Sequence, residues 1–289
     1  MSRVKLVKAH GLGNAFLLIE AGQLTHDQAA WARRLCDPHA GVGADGLILH
    51  EPAPGGARMR LINADGSDAE ISGNGLRCLA ALVSRGLAAP CHVVHTAAGP
   101  RAVEVSDLGG SRFRVMTDLG QPILASDAVP VALEPPQARV LDHPLAGLGR
   151  SLKITATSLG NPHCAVFLDA PADDDLLRSL GPVLESHPFF PRKTNVEFVT
   201  VTSRSELRLR FWERGVGYTR ASGTGAASAA VAAILTGRAD RHVSVVCDGG
   251  VLDVEWAGGG TVRQVGEVEI LFEAEWGPGL ASGVSQPNG

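Results

Sequence analysis

One four-residue device occurs once in each half of this chain: Ser72-Gly73-Asn74-Gly75 and Ser222-Gly223-Thr224-Gly225. The first leads into Leu76 to Arg85 and stops at Gly86, and the second leads into Ala226 to Thr236 and stops at Gly237. Serine is a favoured helix N-cap, Ala- and Leu-rich runs propagate a helix, and glycine ends one, so both segments read as helices entered through a Gly-rich turn. Ordinary capping accounts for either segment alone. Each is also preceded by a polar loop, Asn63 to Glu70 and Glu213 to Gly217. Two segments built alike point to one device used twice.

A chain of 289 residues, 45% of them hydrophobic, has length for about two domains and enough apolar surface to bury a core in each. Short strand-like runs fill the first half at Val4 to Lys8, Phe16 to Glu20, Gly46 to His50, Arg58 to Asn63, Val93 to Thr96, Arg101 to Val105 and Arg112 to Asp118. A helix is predicted from Thr25 to Leu35. After Gly120-Gln121-Pro122 the pattern restarts, with strands at Leu152 to Thr157, Cys164 to Leu168, Val196 to Val201, Arg208 to Trp212 and Val243 to Cys247, and a helix from Asp174 to Ser186. Many short strands with few helices define an α+β chain of two domains, 1–119 and 120–265.

A net charge of -4, with no long run of either sign, offers no electrostatic footprint for nucleic acid or an anionic membrane surface. A small soluble ligand is the expected partner. Met1 to Leu6 runs straight into strand-like alternation, and no stretch approaches the ~18 apolar residues of a membrane span, which predicts a cytoplasmic protein. Cys36, Cys78, Cys91, Cys164 and Cys247 lack the paired spacing of a zinc or redox centre and read as mostly buried thiols. The Gly-, Ser- and Pro-rich end, Gly277 to Gly289, is expected to fray.

A helix N-terminus presents unpaired N–H groups and a partial positive charge, so it holds a carboxylate. Two such ends facing one cleft can grip an amino acid from both sides. A proton-transfer group at each would let one remove the α-proton while the other delivers a proton to the opposite face, inverting the centre without a cofactor.

Six ordered motifs now resemble those of the diaminopimelate epimerase family: Lys8 to Asn14, Gly41 to Gly46, Asn63 to Ser67, Gly73 to Cys78, Gly160 to His163 and Glu213 to Gly215. The resemblance covers nearly the whole chain. It implies two pseudo-symmetric domains, each a mixed β-sheet wrapped around a central helix. A C-terminal strand around 266–276 would complete the first domain, and the active site would lie in the cleft between the two. By the same resemblance Asn14, Asn63, Asn74, Asn161, Asn195, Glu213 and Arg214 bind substrate, and the N–H groups of Gly73, Asn74, Gly223 and Thr224 hold a carboxylate. It implies interconversion of LL- and meso-diaminopimelate for lysine and cell-wall precursors, no cofactor and no metal, and a possible homodimer.

The chain departs from the family at the chemical centre. Both family residues that open the Gly-x-Gly turns are cysteines, whereas Ser72 and Ser222 stand here. A thiol of pKa ~8.5 can be lowered toward neutrality at a helix N-terminus; a serine hydroxyl is far less acidic and needs a partnering base. Three accounts stand open: deliberate substitution, a natural relative using serine with another base, or a protein that binds its ligand without turning it over. His163 is the first candidate helper, against the alternative of a structural histidine capping the turn after Pro162. Cys78 and Cys164 fall where the family has non-catalytic cysteines.

Competing motifs carry less. Gly41 to Gly46 satisfies G-x-G-x-x-G, but it follows a turn and precedes a strand, the reverse of a dinucleotide fingerprint. Asn63, Asp65, Asp68 and Glu70 miss the spacing of a calcium loop, and no G-x-S-x-G elbow surrounds either serine. The functions left to compare are a diaminopimelate epimerase, a related isomerase acting on another substrate through non-thiol groups, and a silent amino-acid-binding protein.

Overall fold

In the computed structural model the described residues are 3–24, 26–69, 72–86, 92–97, 99–146 and 152–277. Seven strands occupy the first half: β1 (Val4–Gly11), β2 (Asn14–Glu20), β3 (Gly46–Ala53), β4 (Gly56–Asn63), β5 (Val93–Thr96), β6 (Gly99–Gly109) and β7 (Arg112–Asp118). They are neighbours in chain order. Helix α1 (Gln28–Cys36) carries the chain between the parallel pair β2 and β3, and α2 (Gly73–Gly86) between the parallel pair β4 and β5. The remaining contacts are antiparallel.

The second half repeats this plan. After the edge strand β8 (Val140–Leu145) come β9 (Leu152–Ser158), β10 (Pro162–Leu168), α3 (Asp174–Glu185), β11 (Asn195–Ser203), β12 (Glu206–Glu213), the short β13 (Gly217–Thr219), α4 (Gly223–Leu235), β14 (His242–Cys247) and β15 (Gly250–Glu255). Parallel pairs β10–β11 and β12–β14 are again spanned by α3 and α4. The long strand β16 (Arg263–Trp276) joins the halves: Arg263 to Gly266 pair with both β15 and β7, and Val268 to Trp276 pair with β1, closing β1 to β7 and β16 on themselves.

Alternation drives each wrap. Phe113, Val115 and Thr117 of β7 point inward and Arg112 and Arg114 outward, and Val243, Val245 and Cys247 of β14 repeat the period of two. Inside the first wrap α2 buries Leu76, Cys78 and Leu79, each Leu contributing roughly 1.5–3 kcal/mol relative to exposure. Inside the second, α4 is buried from Gly223 to Ala233 with almost nothing larger than alanine. A helix apolar on every face belongs in an interior, and its small side chains let the surrounding strands approach closely.

Several elements differ from the sequence expectations. Helix α1 begins at Gln28 because the Asp27 carboxylate caps it, accepting from the Ala30 N–H; Thr25 lies outside the described residues. Helices α2 and α4 begin at Gly73 and Gly223, one residue after each serine. Strands β8, β13 and β15 are additional to those predicted. Pro144 and the left-handed Asp142 hide β8, which pairs with β9 alone, as suits an edge. Cys36, Cys78, Cys164 and Cys247 are buried free thiols, while Cys91 and residues 278–289 of the tail lie outside the described residues. Among those residues no helix is long and apolar enough to cross a membrane.

The Gly41 to Gly46 loop has a structural use for its glycines. The N–H groups of Gly41, Val42, Gly43 and Ala44 donate to carbonyls of Asp37, Leu35, Leu35 and Cys36 at the end of α1, so they satisfy a helix C-terminus and face no phosphate. Of the acidic loop residues, Asp65 accepts from the Ser67 N–H and hydroxyl and Asp68 pairs with Arg60. Glu70 lies outside the described residues.

Candidate active site

The two serines are placed alike. Ser72 Oγ accepts from the Gly75 N–H at 3.1 Å and Ser222 Oγ from the Gly225 N–H at 3.2 Å, each capping its helix. The helix ends meet: a Cβ on Gly223 would stand 3.1 Å from the Gly73 Cα, and one on Gly73 would stand 3.4 Å from the Gly223 Cα. Only glycine lets the two backbones come this close. Both ends line a cavity of ≈ 390 Å³, large enough for a small polar ligand, and the first N–H groups of a helix have no partner within the helix.

Asn14, Asn63, Ser72, Gly73 and Asn74 line this cavity from the first half, and Asn161, Asn195, Glu213, Ser222, Gly223 and Thr224 from the second. Two anticipated residues stand off its wall. Arg214 donates its backbone N–H to Asn195 Oδ1 at 2.9 Å and Nη1 to the Arg192 carbonyl at 3.3 Å, so it sits beside the cleft and fixes an amide that lines it. His163, 1% exposed, places Nδ1 at 2.7 Å from Glu197 Oε1 and Nε2 at 2.9 Å from Asn161 Oδ1. Both ring nitrogens are thus engaged, one by the Glu197 carboxylate and the other by the Asn161 amide. His163 therefore reaches the cleft through Asn161.

The amides are aimed by their neighbours. Asp45, on the wall itself, accepts from Asn14 Nδ2 at 2.8 Å and the Ala15 N–H at 2.7 Å. Asn14 Oδ1 accepts from Asn74 Nδ2 at 3.3 Å, and Asn74 Oδ1 accepts from Arg77 Nη2 at 2.5 Å. Arg77 Nη1 donates to Gln264 Oε1 at 2.6 Å, and Gln264 Nε2 donates to the Gly223 carbonyl at 2.8 Å. One chain of hydrogen bonds thus runs from Asp45 past both helix ends.

On the other side stands the acid. Burial pushes the Glu213 carboxyl above the ordinary carboxylate range, with the Ser222 hydroxyl, the His163 charge and the Thr219 hydroxyl pulling it down and Asp45 pushing it up. Because Ser222 Oγ accepts from Gly225, its own proton is left to point at Glu213. Glu197 is likewise raised by burial, opposed chiefly by His163.

Sequence reasoning passes over Asp45, Arg77, Gln264, Tyr218, Thr219 and Arg220. Asp45 lies in the Gly41 to Gly46 motif and Arg77 in the Gly73 to Cys78 motif, so a signal was present. Nothing local marks Gln264, whose partners are distant in the chain.

The fold is shared with solved epimerases: the hydroxyproline epimerase of Agrobacterium vitis superposes with a TM-score of 0.66 at 16% identity, over 96% of this chain and 91% of that one. A sequence model described as diaminopimelate epimerase matches residues 6–124 and 155–271. The diaminopimelate epimerase of Desulforudis audaxviator is 46% identical over 279 residues, 94% of this chain and 99% of its own length. That of Synechocystis sp. is 43% identical over 259 residues, 86% and 90% of the two chains. The chain belongs to the diaminopimelate epimerase family.

Proposed function

We propose that this protein is a diaminopimelate epimerase, interconverting LL- and meso-2,6-diaminopimelate by proton transfer at the α-carbon. The observation that carries the reading is the contact of the two Ser-capped helix ends, Gly73 against Gly223, above one cavity lined by five asparagines and a single raised carboxylate. The N–H groups of Gly73, Asn74, Gly223 and Thr224 hold the α-carboxylate. The asparagine carbonyls and Glu213 accept from the ammonium group, and Arg214, turned inward from Arg192, meets the distal carboxylate.

Removing the α-proton leaves the C–H electron pair on carbon, delocalised into the carboxylate whose added charge the helix ends stabilise. Ser72 and Ser222 stand on the two faces. A serine hydroxyl is no base near neutrality, so on the Ser222 face the proton passes to Glu213, directly or through the hydroxyl, while water in the cleft gives a proton to the Ser72 face through the Ser72 hydroxyl and the hydroxide left is neutralised by the proton that Glu213 releases. The scheme calls for no cofactor. It places the protein in the supply of lysine and cell-wall precursors in the cytoplasm, and a homodimer is the assembly suggested by the family resemblance. Residues 1–119, completed by 266–276, and 120–265 are the two domains that bound the cleft.

A second reading rests on the serines themselves: the protein binds the amino acid and leaves it unchanged. Incubation with LL-diaminopimelate in heavy water, followed by NMR, separates the two. The proposal expects α-deuterium and meso product above the uncatalysed rate. Binding by calorimetry without either would establish the silent form.

A further inference from the structure

Arg77 is fully buried on α2, one turn inside the helix that begins at Gly73. Its Nη1 and Nη2 donate to neutral amides, Gln264 and Asn74, and its Nε has no partner. Among the described residues no carboxylate lies within ion-pair distance of it. The nearby thiols supply no charge either: burial pushes Cys78 up to about 12 and raises Cys247, so both stay neutral. The guanidinium is held down to about 10 by desolvation, which still leaves it charged at neutral pH.

Such a cation is costly three times over. Buried charges are ordinarily paired. A positive group near a helix N-terminus opposes the helix dipole, and here a second N-terminus, that of α4, touches the first at Gly73 and Gly223. A Cβ on Gly73 would stand 3.6 Å from Arg77 Nη1 on one side and 3.4 Å from the Gly223 Cα on the other. Three positive elements therefore converge directly behind the cavity wall formed by Gly73 and Gly223, and among the described residues no side chain within ion-pair distance of Arg77 supplies the anion that would balance them.

We propose that Arg77 is a positioning residue whose missing counter-ion is the ligand's carboxylate, seated on the Gly73 and Asn74 N–H groups in front of it. This rests on reading the cleft as an amino-acid dicarboxylate site. Arg77 touches no ligand. It acts by fixing Asn74, by tying α2 to α4 through Gln264, and by adding a buried positive charge that the solvent cannot screen. A merely structural arginine would do the first two without distinguishing a charged ligand from a neutral one.

The test is a cycle between the residue and the ligand's charge. Calorimetry on the whole protein would compare diaminopimelate with its diamide, which keeps the shape and loses both carboxylates, for wild type, R77K, R77Q and Q264E. A unit charge a few ångströms away in a partly screened interior sets the expected loss at about 10- to 100-fold. R77Q is expected to lose that affinity for the acid and to change by less than about threefold for the diamide, with R77K restoring most of it. Q264E is the second variant: Gln264 is absent from the cavity wall, the loss of its Nε2 bond to the Gly223 carbonyl falls on acid and diamide alike, and the new carboxylate would pair with Arg77 internally, weakening the acid selectively. Equal losses for acid and diamide in R77Q, or unchanged selectivity in Q264E, overturn the inference while leaving the cleft as the binding site. Wild-type protein that binds neither compound overturns the reading of the cleft itself.

Discussion

The two halves use one scaffold to build opposite surroundings. Around α2, Ser72 is followed by Asn74, which lies between the buried Arg77 on one side and Asn14, held by Asp45, on the other, so the charged group nearest this helix end is a cation. Around α4, Ser222 faces Glu213, and the Glu197–His163 pair lies behind the first turn, where a Cβ on Gly225 would stand 3.0 Å from both Glu197 Oε1 and Ser222 Oγ. Packing differs in the same sense: α2 fills its wrap with leucines, α4 with alanines. A duplicated frame thus divides the labour, one end suited to hold an anion and the other to hold a proton.

The comparison is sharpened most by restoring thiols. Ser72→Cys with Ser222→Cys is expected to raise epimerisation by about three orders of magnitude, the usual scale of a positioned proton-transfer group, measured as meso product from the LL isomer. The single variants expose the asymmetry. Ser72→Cys gains a thiol near the Arg77 cation, which favours the thiolate, so it should promote α-deuterium exchange more than Ser222→Cys, whose thiolate would face the Glu213 carboxylate. Equal gains from the two singles would break the division of labour, and a double variant without gain would remove both serines from the reacting centre.

A smaller effect is expected from wedging the ends apart. Gly223→Ala puts a Cβ at 3.1 Å from the Gly73 Cα and 3.2 Å from Gln264 Oε1, where backbone on one side cannot swing away. Overpacking at such a contact costs typically 1–3 kcal/mol, read from urea melts. It should also weaken diaminopimelate binding, because the N–H groups that converge on one carboxylate no longer do so. Gly75→Ala is a useful contrast within α2: its Cβ would meet the ends of the Ile48 and Met59 side chains, which can move.

How much of this is legible in the sequence follows the range of each interaction. The caps at Ser72 and Ser222 are local, so composition and spacing reveal them, and with them the duplication that the sheet later displays as two parallel crossovers in each half. The strand joining the halves is harder, since β16 pairs with β1, β7 and β15 at once and only the family resemblance points to it. Arg77 stands in plain view between Leu76 and Cys78, yet nothing local says that its side chain turns inward to Gln264, 187 residues away. Asp45 is similar: the Gly-rich loop identifies itself, while the aim of its carboxylate at Asn14 depends on β3 lying parallel beside β2. His163 is visible as a titratable group, and only the structure shows that it is buried and meets the cleft through Asn161.

The least of the expected effects tests the acidic side by its pH dependence. Burial raises the Glu213 carboxyl in the folded state above its ordinary value of 4.5. Between the unfolded and the folded value the native state then binds more protons than the unfolded chain, so this group's contribution to stability falls as pH rises through that window. Glu213→Gln keeps the shape and removes the titration. Urea melts of the two proteins at intervals from pH 4 to 8 should therefore diverge, the variant gaining on the parent as pH climbs. Parallel curves would mean that Glu213 is solvated as an ordinary carboxylate. The proton-holding end would then be no more basic than the anion-holding one, and the contrast between the two helix ends would rest on Arg77 alone.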